Sequence, residues 1–404
     1  MARAYDIAIV GGGLIGLATA SKLLLRRPGI SIALLEKEAT VAAHQSGHNS
    51  GVVHSGLYYE PGGVNVRFCR AGRLELIRYA SERGIPFKRC GKLVVAVDPD
   101  ELPRLADLRS RGLANGLEGL EEIPQARISE FEPWIRGLGA LWIPETGIID
   151  YAQVARAMSE DLRAAGVDIF FGHRVTSIEA RRDVAIHTTR GIVTAGNLVV
   201  CGGLCADRLA AMTGHEGRDR VVAFRGDYYS LRQPHRAKVR GLVYPVPDPS
   251  LPFGALGVHF TRTVGDEVWA GPSATLAFAR EGYTRYALNP RDLADTLAFG
   301  GFWRLMRRDG KLGMQELWRD YVKGAFVRQL KRYMPTLEAA HLRFGPSGVR
   351  AQPIRPDGTL LDDFSVGAGP HVMHVRAIPS PGATAAFAIA DELASRAVSH
   401  FELN

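Results

Sequence analysis

The sequence predicts an α/β protein in which a Rossmann-like domain is interleaved with a second domain built on a mostly antiparallel sheet. Three observations lead there: a strand, glycine turn, helix and strand at the start, a group of short strand-like runs in the middle, and no low-complexity linker between them. Residues 5–10 are apolar and partly β-branched, 14–25 have helical character and 31–35 are apolar again, which is a βαβ unit. Helices are then expected at 64–83, 100–115, 151–165, 204–212, 290–307, 313–334 and 383–400. The runs 167–171, 175–180, 184–189 and 198–201 extend the α/β part with a small antiparallel meander. By contrast, 221–231, 241–246, 256–262 and 267–270 suggest a separate antiparallel sheet. The two kinds of pattern alternate and no repeat period emerges. Segments 1–80, 145–220 and 340–404 are therefore expected to form one domain, and 81–144 with 221–339 the other.

A chain of 404 residues, 46% of them hydrophobic, can bury a large core, which excludes a disordered or collagenous protein. Cys69, Cys90, Cys201 and Cys205 are too few for a disulfide scaffold and form no CxxC pair, so a reducing compartment is expected. The first strand begins almost at Met1, leaving no room for a presequence, and no apolar run approaches the length of a membrane span. A cytoplasmic protein, or one held peripherally at the inner face of the cell membrane, is expected. The formal charge is +8, and residues 299–343 alone carry ten Lys or Arg against four Asp or Glu. Such a surface attracts nucleic acid, anionic lipid or an anionic substrate, and charge alone does not choose among them.

Gly11-Gly12-Gly13-Leu14-Ile15-Gly16 satisfies GxGxxG between an apolar strand and an apolar helix. Glycines there permit a tight turn and close backbone approach to a pyrophosphate at the helix N-terminus. Glu36 ends the second strand, where a carboxylate accepts hydrogen bonds from an adenosine ribose and disfavours a 2′-phosphate. The motif does not separate FAD from NAD. Farther on, His44-Gln45-Ser46-Gly47-His48-Asn49-Ser50-Gly51 leads into Val52-Val53-His54-Ser55-Gly56-Leu57-Tyr58-Tyr59. No helix or carboxylate accompanies the three histidines, so zinc is poorly supported. A loop lying on a flat polar cofactor would use such small, amide and hydroxyl side chains, and so would a solvated loop.

This stretch, followed by Cys90-Gly91-Lys92-Leu93-Val94-Val95-Ala96-Val97, resembles the L-2-hydroxyglutarate dehydrogenase/oxidase family of FAD enzymes within the D-amino-acid oxidase-like superfamily. The resemblance continues through Phe224-Arg225-Gly226-Asp227-Tyr228-Tyr229, Tyr244-Pro245-Val246-Pro247-Asp248-Pro249, Gly257-Val258-His259-Phe260-Thr261-Arg262, Ala277 to Tyr283 and Gly348-Val349-Arg350-Ala351-Gln352. It closes with His374-Val375-Arg376 and Pro379-Ser380-Pro381-Gly382-Ala383-Thr384. This sequence departs from the family pattern in the added Gly254-Ala255, and in Ser273, Ala377-Ile378 and Gly382. The resemblance implies an FAD-binding Rossmann-like domain. Gly11, Gly13, Leu14, Ile15 and Gly16 would lie on the pyrophosphate, and Glu36 and Lys37 at the ribose. Ser46, His48, Asn49 and Ser50 would follow the cofactor towards its ring, with Val175 meeting the adenine through its backbone. Cys201, Gly202, Gly203, Gly348 and Arg350 would line the cofactor, and Pro381, Gly382, Ala383 and Thr384 would open the last helix against the flavin, where its positive end favours an anionic reduced ring.

Oxidation of a 2-hydroxy dicarboxylate needs a base for the hydroxyl and cations for two carboxylates. Histidine suits the base because it is neutral near pH 7, and the candidates are His54 and His259. Alternation along 258–262 puts His259 and Thr261 on one strand face and Phe260 and Arg262 on the other. Guanidinium groups suit the carboxylates, so Arg350, Arg225, Arg262 and Arg376 are candidates, with Tyr58, Tyr59 and Tyr228 as hydroxyl donors. The resemblance implies L-2-hydroxyglutarate as substrate, with electrons passing to a membrane quinone or to oxygen. Trp303, Leu305, Met306, Leu317, Trp318, Tyr321, Val322, Phe326 and Leu330, mixed with basic residues, fit either an anionic membrane surface or an ordinary packed helix. Amine or glycerol 3-phosphate oxidation on the same cofactor is an alternative. A flavin-containing RNA-binding protein is a third, but no nucleic-acid motif accompanies the charge and no nucleic-acid partner is expected.

Overall fold

The computed structural model describes residues 4–215, 217–248, 257–378 and 380–403. Gly254-Ala255 and Pro379 lie outside these residues. Ala4–Val10 runs parallel to Ile32–Glu36 on one side and to Gly191–Val200 on the other. Asp168–Phe171 extends this sheet beyond Ile32–Glu36, and Val372–Ala377 joins it beside residues 198–200. The hairpin Val175–Ala180 and Val184–Thr188 completes the other edge.

Both faces of the central strands are covered, so residues 7–10 and 32–35 are apolar at every position rather than at alternate ones. Ile7, Ile9, Ile32 and Leu34 pack against the helices Leu14–Arg26, Tyr151–Ala164 and Ala386–His400. Ala8, Val10, Ala33 and Leu35 meet the hairpin from the opposite face.

A second, nine-stranded sheet carries its own core around Leu93, Val95, Tyr229, Phe260 and Leu330. Its pairings are antiparallel except for Leu242–Pro245 against Lys92–Ala96. The long strand Leu342–Ile354 pairs with Arg220–Leu231 in this sheet. The expected boundary near residue 340 thus falls too early, because the chain crosses back to the first sheet only after this strand. Val52–Val53, Gly147–Ile149 and Phe87–Lys88 form a small third sheet.

Three helices also differ from expectation. The run 290–307 is divided at Phe299, whose extended backbone separates Pro290–Ala298 from Gly300–Tyr321, and 313–334 is divided at Val322 before Lys323–Leu330. Amphipathic spacing continues across both breaks, so one extended residue leaves no trace in the periodicity. The last helix starts at Ala386 instead of 383, after a turn closed by the Ala385 N–H on the Pro381 carbonyl at 3.0 Å.

Candidate active site

The two large sheets enclose a cavity of ≈ 1760 Å³, larger than an ordinary small-ligand pocket and suited to a long ligand together with a second, smaller one. At its first-sheet end the glycine turn leaves no space for side chains. Gly11 has φ +114°, and a Cβ there would lie 2.3 Å from the Cys201 carbonyl oxygen; one on Gly16 would lie 2.0 Å from that of Gly11. The backbone of Gly11, Gly13, Leu14, Ile15 and Gly16 therefore faces the cavity directly. Glu36 is buried and accepts the N–H groups of Gly12 at 2.7 Å and Glu38 at 2.9 Å, which fixes its carboxylate beside the turn. This cradle and the acid fit an adenosine diphosphate moiety.

Several residues expected at the cofactor line the cavity but use their side chains otherwise. Lys37 Nζ is 2.8 Å from Glu281 and also meets Glu38 and His44. Glu38, His44 and Glu281 thus gather around an ammonium already supplied by the chain. Asn49 staples its own loop, donating to the Gln45 and Ser46 carbonyls at 3.1 and 2.8 Å and accepting the Gly51 N–H at 2.9 Å. Ser46 Oγ accepts the Leu14 N–H at 3.0 Å. His48 donates through Nδ1 to the Ser347 carbonyl at 3.2 Å and stacks on Tyr283 with centroids 3.8 Å apart. Ser50, Val175, Cys201, Gly202, Gly203 and Gly348 lie on the cavity wall. A Cβ on Gly348 would come 2.6 Å from the His48 carbonyl oxygen, so this glycine lets the strand approach the loop. At the far end Pro381, Gly382, Ala383 and Thr384 line the cavity. Thr384 Oγ1 shares a hydrogen bond with the Tyr151 hydroxyl at 2.9 Å and accepts the His54 N–H at 3.2 Å, tying the histidine loop to this turn.

His54 and His259 both reach this end of the cavity. Burial, with the nearby Lys92 charge, pushes His54 down to about 3 and His259 to about 4, so both are neutral at physiological pH. In His259 the tautomer is also fixed: Nδ1–H donates to the Gly257 carbonyl at 2.9 Å, which leaves the lone pair on Nε2. The ring stacks on Tyr244 at 3.8 Å. Tyr58, Tyr59 and Tyr228 line the same region, and the buried Tyr58 hydroxyl has no hydrogen-bond partner among the described residues.

Of the four arginines, Arg350 lines this region, with Tyr59 and Asp362 as charge neighbours. The other three hold partners within the chain, although Arg225 and Arg376 also line the cavity. Arg225 is buried and clamped to Asp227 at 2.9 Å, to Asp320 at 3.4 Å and to the Arg285 carbonyl at 3.0 Å. Arg262 points from the strand face opposite His259 and donates to the Val239 carbonyl at 2.6 Å, so it does not line the cavity. Arg376 binds Asp219 at 2.8 Å and the His215 carbonyl. Ser273, one of the departures from the family pattern, accepts the Asp227 N–H at 3.0 Å and so supports the clamp on Arg225. Lys92, quoted in a motif but given no role, proves to be a buried cation behind Tyr58. Its sequence signal was a lysine on the inward-facing register of an otherwise apolar strand.

Residues 6–396 match the profile of a family described as FAD dependent oxidoreductase. The chain belongs to this family. FAD is accordingly the cofactor, and the ambiguity between FAD and NAD is resolved. Among relatives, L-2-hydroxyglutarate dehydrogenase, mitochondrial, of Nematostella vectensis is 44% identical, covering 99% of this chain and 91% of the relative. L-2-hydroxyglutarate dehydrogenase of Indibacter alkaliphilus is 42% identical over 98% of this chain and 100% of the relative. The mitochondrial human protein of that name is 40% identical over 99% and 90%. L-α-glycerophosphate oxidase of Mycoplasma pneumoniae, solved with FAD bound, has the same fold, with a TM-score of 0.78 at 22% identity over 98% of this chain and 95% of that one.

Proposed function

We propose that this FAD enzyme oxidises L-2-hydroxyglutarate to 2-oxoglutarate. The observation that carries the reading is the end-to-end likeness to L-2-hydroxyglutarate dehydrogenases at 40–44% identity. FAD, when bound, supplies the acceptor for the hydride leaving the substrate's C2. His259 takes the hydroxyl proton at Nε2, because its Nδ1–H is held by Gly257. Arg350 presents a planar pair of donors to a carboxylate, and the unpartnered Tyr58 hydroxyl supplies a further donor. His54, anchored through its backbone to Thr384, lines the same end of the cavity. An anaerobic titration of the yellow protein with L-2-hydroxyglutarate, its D isomer, L-lactate and sarcosine tests this. Bleaching of the flavin by the first compound alone is expected; bleaching by sarcosine instead would hand the site to amine oxidation.

The electrons leave to a quinone or to oxygen, and one surface favours a membrane acceptor. Trp303, Arg307, Met314, Trp318 and Tyr321 lie on one exposed face of Gly300–Tyr321, spaced by four, seven, four and three residues. Aromatic and cationic groups along one helix suit an anionic bilayer surface. Among the described residues no helix is long and apolar enough to cross a membrane. In flotation assays the enzyme is expected to rise with phosphatidylglycerol vesicles at low salt and to be released at high salt. Failure to float at low salt would remove the membrane from this reading.

A further inference from the structure

Resting on the dicarboxylate reading above, we propose that Lys92 is a positioning residue. It is a buried cation that supplies positive charge behind Tyr58, His54 and His259, and it thereby selects an anionic substrate. Lys92 opens the strand Lys92–Ala96, and its side chain shares a face with Val94 and Ala96 in a cluster that includes Leu57, Leu242 and Tyr244. It is 1% exposed. Its Nζ lies 4.2 Å from the centre of the Tyr58 ring and 5.0 Å from that of Tyr244. Tyr244 stacks on His259, and Tyr58, His54 and His259 form the cavity wall in front of it.

The groups facing this ammonium supply no negative charge. Lys92 makes no ion pair and no hydrogen bond among the described residues, and no carboxylate is among its charge neighbours. Burial pushes the Cys69 thiol up to about 12 and raises Tyr58 and Tyr244 well above the ordinary phenol range, so all three are uncharged. His54 and His259 are neutral as well. The aromatic rings attract the cation only weakly compared with the hydration it has lost. Such an arrangement is unfavourable in the empty protein and becomes favourable when an anion enters the cavity. Arg350, with Asp362 near it, is a separate cation of the same cavity.

Burial lowers Lys92 to about 7. A bound dicarboxylate raises it again, so binding takes up a proton wherever the empty site is partly neutral and the occupied one charged. Affinity is then full below that value and falls as pH rises through it. The two histidines, titrating near 3 and 4, do not contribute in this range.

Glutarate, a dicarboxylate with no hydroxyl to oxidise, is the probe. Calorimetric titration of the holoenzyme in buffers of different ionisation heat is expected to show proton uptake at about pH 7.5 and almost none at about pH 6. Zero uptake at both, with glutarate bound, overturns the proposal without any variant. Lys92→Met, similar in length but uncharged, should abolish the uptake and weaken glutarate by roughly tenfold or more at the lower pH, with FAD content unchanged. Uptake and affinity equal to those of the wild type would also overturn it, while leaving the substrate reading intact. A wild-type holoenzyme that does not bind glutarate would defeat the dicarboxylate reading and this proposal together.

Discussion

Replacing His259 by Gln is expected to slow flavin reduction in single turnover by about 10²–10⁴-fold while the protein stays yellow. The argument is positional before it is electrostatic. The Gly257 carbonyl takes the Nδ1 proton and Tyr244 holds the ring plane, so Nε2 is already a lone pair when substrate arrives. Glutamine fills similar space and can donate, but it cannot accept and carry away a proton. Because burial lowers His259 to about 4, the basic form is complete at neutral pH and is lost only as pH falls through that value. The acid limb of wild-type flavin reduction should therefore lie near 4. Unchanged reduction in His259→Gln would transfer the proton to His54, whose imidazole lines the same end of the cavity.

Gly16→Ala should yield a colourless protein. The added methyl would sit 2.0 Å from the Gly11 carbonyl oxygen, and the helix Leu14–Arg26 could accept it only by moving away from the turn that carries the pyrophosphate-facing amides. Over-packing of this kind costs about 1–3 kcal/mol in stability. The larger loss falls on FAD, which depends on sub-ångström placement of that backbone. Gly313→Ala provides the contrast: it lies within a helix with nothing inside 4 Å of its Cβ. There alanine should raise stability by about 0.5–1 kcal/mol and leave the flavin spectrum unaltered. A yellow Gly16→Ala protein with normal FAD content would show that the turn does not set cofactor affinity.

What was legible in the sequence was what depends on near neighbours in the chain. The glycine turn, Glu36 and the first helix were readable because sterics act over a few residues, and Gly11, Gly16 and Glu36 stand where that reading put them. Residues whose partners are remote were read only in part. Arg225 lines the cavity, but its pairing with Asp320, 95 positions away, had no local sign. Arg262 had in fact been placed opposite His259 by strand alternation, and the structure keeps it there. Lys92 was passed over for a related reason. A lysine on the inward register of an apolar strand was visible, but its lack of a counter-charge depends on residues remote in the chain. Asn49 lines the cavity as read, but that its amide also shapes the loop is a distinction that composition cannot make.

The first strand is paired with residues 194–200, and the first helix is covered by Ala386–His400, with Arg26 reaching Asp391 at 2.9 Å. During synthesis, therefore, the glycine turn leaves the ribosome long before the elements that hold it in place. The emerging chain is expected to hold FAD only once Ala386–His400 has left the ribosome, and deletion of that helix should leave apoprotein.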